Sequence, residues 1–277
     1  MPNPIADPLV EGRDTNDESS FVVIDATPEG LATVAINRPA QHNALNAEVI
    51  GALKSAFDTL EGADGVRVAL ITGVGEAFSS GPDLQWLRDS GDYTTSELHE
   101  DAMALGAMLQ RLYDLPMLTV CVVHGAAHGV GLGLVAACDF VIATEDASFA
   151  FPEARLGLVP AVIAPFVVQA IGAKRARALF ATGRSFNAAY ARDIGLVDEI
   201  TSDLSATLER VGEMSVDAAP AAAAEAKRAV AYAAGREIDH GLVEEMARRS
   251  VRARLSEEGR EGVAALLAGR APPWQAP

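Results

Sequence analysis

The sequence predicts an α/β fold around a mostly parallel sheet, and three observations carry that expectation. Runs of β-branched and apolar residues alternate with amphipathic helical stretches up to about residue 202. A glycine-rich turn joins an apolar strand to an apolar helix in "HGAAHGVGLGLVAACD", from His124 to Asp139. From about Asp203 the strand signal ends and helical segments take over. The expected organisation is a tail over residues 1–20, a core over 21–202, and a helical region over 203–277 that packs on the core or on a neighbouring subunit.

The opening "MPNPIADPLVEGRDTNDESS" has no positive start and no apolar run, so it reads as a flexible tail and not as a secretory signal. "FVVIDA" and "LATVAIN", separated by the turn cluster "TPEG", predict a hairpin. In "NAEVIGALKSAFDTLEGAD", Asn46 is a fitting N-cap, and Val49, Ile50, Leu53, Phe57 and Leu60 share one helical face. "VRVALITG" reads as a buried strand and "SELHEDAMALGAMLQRLYDLP" as a helix. Strand "MLTVCVV", the glycine-rich turn, a helix and strand "DFVIATED" follow. "AAPAAAAEAKRAVAYAAG", "GLVEEMARRSVRARL" and "REGVAALLAG" are helical, with Glu and Arg at helical spacing on their exposed faces.

With 277 residues, 49% of them hydrophobic, the chain can bury a sizeable core. Its net charge of −16, from 22 Lys and Arg against 38 Asp and Glu, argues against nucleic acid or an anionic membrane as partner. A small anionic ligand on a local basic patch stays open. The longest apolar stretch near a helix, "AVIAPFVVQAIGA", is interrupted by Pro165 and Gly172 and is shorter than the ~20 residues a membrane span needs. Cys121 and Cys138 lie in apolar surroundings, which suits buried thiols in a reducing compartment better than a disulfide or a metal site. A cytoplasmic address follows as an expectation.

Two functions compete for the glycines. A dinucleotide fingerprint requires G-x-G-x-x-G, whereas Gly129, Gly131 and Gly133 run G-x-G-x-G and Leu134 follows, which argues against that reading. Glycines at the start of a buried helix also let a ligand approach the first backbone N–H groups, where an oxygen that becomes negative is stabilised. Close packing of strand against helix is the competing explanation, above all for Gly131 and Gly133.

Three segments in order, "FSSGPDLQWL" (Phe78 to Leu87), "HGAAHGVGLGLVAACD" and "FAFPEARLGLVP" (Phe149 to Pro160), resemble the enoyl-CoA hydratase/isomerase, or crotonase, superfamily. "INRPAQHNAL" and "EGREGVAALLAGRAPPW" extend the resemblance over about residues 21 to 275. Within it, "GPDLQWLR" and "GLVPAVIAPFVVQAIG" look most like the methylglutaconyl-CoA and isohexenylglutaconyl-CoA hydratase branch. The resemblance implies a crotonase-like spiral of ββα units with a helical C-terminal trimerisation region, assembled as trimers or dimers of trimers. It further implies an acyl-CoA thioester substrate, with coenzyme A part of the substrate, no separate cofactor and no metal.

In that family an enolate oxyanion is held by two backbone N–H groups, which map onto Pro82 and Val130. Val130 can serve through its backbone, but proline has no N–H. Losing one such donor costs about 2.7–4 kcal/mol of transition-state stabilisation. The N–H of Gly81 or Asp83, a water, or the His128 ring are the candidate replacements; His128 also reads as a packed or solvated histidine. Family hydratases commonly use two glutamates as acid and base. One maps onto Glu153 and the other onto Gly133, which has no side chain.

Glu153 follows Pro152 and precedes apolar residues, so a buried acid with a raised pKa is expected, with an ion pair to Arg155 as the alternative. Asp83 reads as structural beside the oxyanion residue, Asp139 as a cap or strand-end acceptor, and Trp86 as core or pocket wall. Gly81 and Gly129 flank the oxyanion positions, and Arg38 and Arg270 are candidate contacts for the CoA phosphates. The resemblance implies hydration of a 2-enoyl-CoA first and double-bond isomerisation second. An acyl-CoA-binding protein with weakened turnover is the third reading.

Overall fold

The computed structural model describes residues 20–275, so the expected tail lies outside the described residues apart from Ser20. Strands β1 (Val22–Ala26) and β2 (Leu31–Ile36) form the expected antiparallel hairpin. Along the chain follow β3 (Val68–Gly73), β4 (Leu118–Val123), β5 (Ala126–His128), β6 (Phe140–Thr144), β7 (Ser148–Ala150), β8 (Ser185–Asn187) and β9 (Glu199–Thr201). The larger sheet has the order β1-β2-β3-β4-β6-β9, parallel from β2 onward. A smaller sheet has the order β5-β7-β8.

Parallel neighbours require crossover connections, and the helical stretches supply them. Helix α1 (Ala47–Glu61) joins β2 to β3, and α2 (Leu84–Asp89) with α3 (Thr95–Tyr113) joins β3 to β4. The short α4 (Gly131–Ala137) joins β5 to β6. Strands β4 and β5, helix α4, then β6 and β7 make successive ββα turns that alternate between the two sheets. This is the spiral implied above.

The Asn46 side chain accepts the Val49 N–H, as its position predicted, and α1 buries Val49, Ile50, Leu53, Ala56, Phe57 and Leu60. Helix α3 opens with a capping box between Thr94 and Glu97 and buries Leu105, Met108, Leu109 and Leu112. Each such side chain, moved fully out of water, contributes about 1.5–3 kcal/mol. Together they fix α3 where it walls the site. The glycine-rich stretch differs from expectation in containing β5, which pairs in parallel with β7. Three residues are too few for a period-two pattern to register.

Helices α5 (Ala164–Ile171), α6 (Ala173–Thr182) and α7 (Ala188–Asp193) close the core. Helices α8 (Leu204–Val216), α9 (Pro220–Ala233), α10 (His240–Leu255) and α11 (Glu257–Ala268) form the C-terminal region. Helix α9 docks through Ala224 and through Lys227, which pairs with Asp139 and donates to Met117 O. Asp139 also accepts from the Thr119 N–H and hydroxyl, the strand-end role foreseen for it. Val230, Ile238, Val251, Leu255, Leu266 and Leu267 stay exposed on this region. No helix of the described residues is long and apolar enough to cross a membrane.

Candidate active site

Three segments converge at the C-terminal side of β3, β5 and β7. They are residues 79–82, the glycines that open α4, and the 3-10 helix Pro152–Leu156. Buried Asn43, with φ of 56°, ties the first of these down. Its amide donates to Val74 O and Ala77 O, its side-chain oxygen accepts the Arg38 N–H, and its carbonyl accepts the Ser79 hydroxyl. Ser79 donates its N–H to Ala126 O and accepts that of His128, so the loop is laced to β5.

Gly81 and Gly129 sit where only glycine fits. Gly81 has φ of 99°, and a Cβ there would lie 2.9 Å from His128 O. Gly129 has φ of 52°, and a Cβ would lie 3.1 Å from Glu153 Oε1 and 3.2 Å from Pro82 Cδ. The proline ring and the carboxylate therefore both crowd the place that a side chain at position 129 would take. Val130 comes next, as the residue preceding α4; at a helix start the first N–H groups lack intrahelical partners. Its N–H has no acceptor among the described residues.

Glu153 is 7% exposed, and neither carboxylate oxygen has a hydrogen-bond partner among the described residues. Burial pushes its carboxyl above the ordinary value of 4.5, opposed in part by its own backbone N–H. Arg155 does not pair with it; that side chain turns to Thr182 O. A proton-accepting group is thus held in an apolar setting with its basicity raised, beside a free N–H.

A cavity of about 580 Å³ opens from this point between α2, α3 and residues 157–163. Pro82, Trp86, Val130 and Glu153 line it, with Leu87, Leu98, Leu105 and Ile163 among the apolar walls. Trp86 is pocket wall, and its indole N–H is buried without an acceptor among the described residues. The structure thus brings together four of the predicted residues, with Gly129 packed against two of them.

The other predicted residues are placed differently. A Cβ on Gly133 would lie 2.6 Å from Ile163 Cγ2 and 3.0 Å from Leu109 Cδ1, so this position faces packed core with no room for a carboxylate. Asp83 is fully engaged. Its side chain accepts from the N–H groups of Gln85 and Trp86 and from Arg38 Nη1 at 3.0 Å, and its own N–H donates to Leu45 O. Burial raises its carboxyl, but Arg38 and the two N–H groups outweigh this and hold it below the usual carboxylate range. Asp83 therefore does not line the cavity and does not supply the missing donor; its engagement is the structural role foreseen for it. The Gly81 N–H is turned to Ser79 Oγ at 3.3 Å.

Arg38, expected at the CoA phosphates, acts here as a structural clamp. Its side chain is 14% exposed, donates to Ala44 O as well as Asp83, and lies over the Phe21 ring. Arg270 pairs with Glu261 and donates to Ala271 O, and it does not line the cavity. The His128 ring does not line it either; burial holds its imidazole below the ordinary value of 6.5. Among the lining residues that escaped the sequence reading are Ile163 and Asp101. For Asp101 a signal existed: it shares the i, i+3, i+4, i+7 face of α3 with Leu98, Ala102 and Leu105. No group of three potential metal ligands occurs among the described residues.

Residues 26–277 match the family model described as enoyl-CoA hydratase/isomerase. "Probable enoyl-CoA hydratase echA8" of Mycobacterium tuberculosis is 32% identical over 251 residues, 87% of this chain and 93% of the relative. "Enoyl-CoA isomerase/hydratase fer4" of Mycosarcoma maydis is 34% identical over 183 residues, 64% of this chain and 65% of the relative. A crystal structure of an enoyl-CoA hydratase from Shewanella pealeana superposes with a TM-score of 0.90 at 30% identity, covering 94% of this chain and 98% of that one. The spiral of ββα units, the acid set beside a helix-start N–H and these matches agree. The chain belongs to the enoyl-CoA hydratase/isomerase family.

Proposed function

We propose that this chain acts on a 2-enoyl-CoA thioester with Glu153 as its single acid and base and the Val130 N–H as oxyanion donor. The observation that carries the reading is the buried, unpartnered Glu153 carboxylate beside a free N–H at the head of an apolar cavity. As charge develops on the thioester oxygen, a fixed N–H stabilises it more than water would, because nothing has to reorient. Coenzyme A enters as part of the substrate, and no separate cofactor is called for.

Hydration needs only one carboxylate. Glu153 takes a proton from water as the water oxygen bonds to C3, the electron pair of the double bond moves toward the thioester oxygen, and Glu153 returns the proton to C2. One water is thereby divided between C3 and C2. The names of the relatives support hydration. A second reading, isomerisation, is favoured by the shielding of both Glu153 oxygens and by the filled space at Gly133. There Glu153 removes a proton from C2 of a 3-enoyl ester and delivers it to C4, with no water consumed.

Motifs in "GPDLQWLR" and "GLVPAVIAPFVVQAIG" support a place near the methylglutaconyl-CoA and isohexenylglutaconyl-CoA branch. Asp101 in the cavity opposes an acyl group ending in a carboxylate. The exposed apolar residues of α9–α11 support assembly into trimers or dimers of trimers, and the apolar setting of two free thiols supports a reducing, cytoplasmic location.

The test is loss of conjugated-enoyl absorbance on 2-enoyl-CoA esters, and its gain on 3-enoyl-CoA esters, for wild type and Glu153→Gln. Wild type turns over one class, and the variant loses about 10²–10⁴-fold while still binding the ester. If wild type and variant are equally inert while both bind CoA esters, the enzyme reading fails.

A further inference from the structure

From Ala154 to Arg192 the chain carries six cations, Arg155, Lys174, Arg175, Arg177, Arg184 and Arg192, and no Asp or Glu, in a sequence whose net charge is −16. All six are exposed, and none forms an ion pair among the described residues. With 38 Asp and Glu for 22 Lys and Arg, a cation without a carboxylate runs against the composition; Arg111, Lys227 and Arg249 are each held by at least one. Lys174, Arg175 and Arg177 also stand near the start of α6, where the helix dipole disfavours positive charge. The arrangement works against the fold, and a local rule broken without compensation is where function is to be sought.

Helix α6 links these cations into one surface. Arg155 donates to Thr182 O at 3.4 Å, and its Cγ lies 2.9 Å from the place of a Cβ on Gly183, which brings it to the end of α6 beside Arg184. Arg175 lies two turns before Thr182 on the same side of α6, about 10 Å away. Leu156, Leu158 and Val159, next in the chain after Arg155, are 59%, 45% and 77% exposed. Leu158 and Val159 also line the cavity, so the basic surface and the cavity rim are continuous through residues 155–159. The two arginines expected at the CoA phosphates are engaged elsewhere, Arg38 by Asp83 and Arg270 by Glu261.

Resting on the thioester reading above, we infer that this surface receives an acidic protein that presents its acyl group as a phosphopantetheine thioester. Arginine clusters recognise acidic segments, and the exposed apolar residues beside them give a partner's side chains a surface to bury against. A nucleic acid has no use for the apolar rim, and an anionic membrane is repelled by the rest of this acidic chain. The pantetheine arm and its thioester are the same on CoA and on a carrier protein, so Glu153 and the Val130 N–H meet the same reacting atoms from either source. The partner's carboxylates then take the place of the CoA nucleotide as the anionic part of the substrate.

The test offers the full-length protein one 2-enoyl group on three carriers: an acidic acyl carrier protein, CoA and pantetheine. The expected result for wild type is a kcat/KM on the carrier-protein ester at least about tenfold above that on the pantetheine ester at low salt, shrinking as salt rises. Combining Lys174→Glu, Arg175→Glu and Arg177→Glu abolishes that advantage and leaves turnover of the pantetheine ester unchanged. These side chains do not line the cavity, and Glu at a helix start suits the dipole, so the fold is kept. Leu156→Ser, also outside the lining, lowers use of the carrier-protein ester alone. A carrier-protein ester used no better than the pantetheine ester overturns the assignment. An equal loss on the CoA ester in the triple variant overturns it too and gives the cations to the CoA phosphates. Sedimentation of wild type, but not of the triple variant, with phosphatidylglycerol vesicles overturns it in favour of a membrane. In each of these cases ester turnover still stands and the proposed function survives. If none of the three esters is turned over, both readings fall.

Discussion

Replacing Gly133 by alanine should destabilise the protein, although glycine to alanine inside a helix ordinarily stabilises by about 1 kcal/mol. The reason is Ile163. A Cβ at position 133 would stand 2.6 Å from Ile163 Cγ2 and 3.3 Å from Ile163 Cβ. The closer approach is about 1 Å short of a relaxed carbon contact. Leu109 Cδ1, at 3.0 Å, is a flexible end that can turn away, but Ile163 is 1% exposed and β-branched, and it can yield only by shifting toward the cavity it lines. Overpacking of this kind costs about 1–3 kcal/mol. Set against the helix gain, the net expectation is a loss of up to about 2 kcal/mol. The assay is urea unfolding of wild type, Gly133→Ala, Ile163→Ala and the double variant. Ile163→Ala alone opens a cavity and costs about 2–5 kcal/mol. In that background the alanine methyl enters vacated space, so Gly133→Ala becomes neutral or stabilising, with a coupling of about 1–3 kcal/mol. A stabilising Gly133→Ala in wild type, or a coupling near zero, would refute the claim that Ile163 fills the place of a second carboxylate. If the coupling is found, Gly133→Glu should gain hydration only when Ile163 is also reduced.

Three further outcomes follow from the site. Glu153→Gln should raise stability at neutral pH by about 1–3 kcal/mol, because the folded carboxyl titrates above its ordinary 4.5 and wild type loses stability as pH climbs through that raised value. The gain should vanish in acid, and wild-type kcat/KM should fall on the acid side as Glu153 protonates. Pro82→Ala restores an N–H at the first oxyanion position and should increase kcat; an unchanged or lower rate would mean that the site operates without that donor. Arg38→Ala should cost about 1.5–3 kcal/mol of stability near neutrality and leave the affinity for CoA unaltered. That cost should shrink as pH drops through the depressed Asp83 value, since the carboxylate then needs no partner. A large loss of CoA affinity would return Arg38 to phosphate binding.

The parts of the molecule legible in sequence are those fixed by neighbours in the chain. Helix α1 announced itself through Asn46 and five apolar residues at helical spacing, and Glu153 through Pro152 and its apolar flanks. Strands β5, β7, β8 and β9 have three residues each, and nothing local distinguishes them from turns. The clamp of Arg38 on Asp83 joins residues 45 positions apart, and Ile163 meets Gly133 from 30 positions away. Such pairings leave no periodic trace, because the chain path between them is what creates the contact. Asp101 had a signal, an acid on an apolar face, which a search for family motifs passes over.

Gly129 has one more consequence. Because residue 129 has no side chain, the Glu153 carboxylate packs directly against the residue that precedes the Val130 N–H, with the Pro82 ring crowding the same place. No rotatable side chain acts as the spacer. The oxyanion end of that contact is main chain, so only the buried Glu153 side chain, and no rotamer at position 129, can change the reach between acid and oxyanion. One end of the spacing is main chain and the other is a single buried side chain, so substitutions that leave Glu153 packed can alter which acyl chain is accepted without retuning the distance at which it reacts.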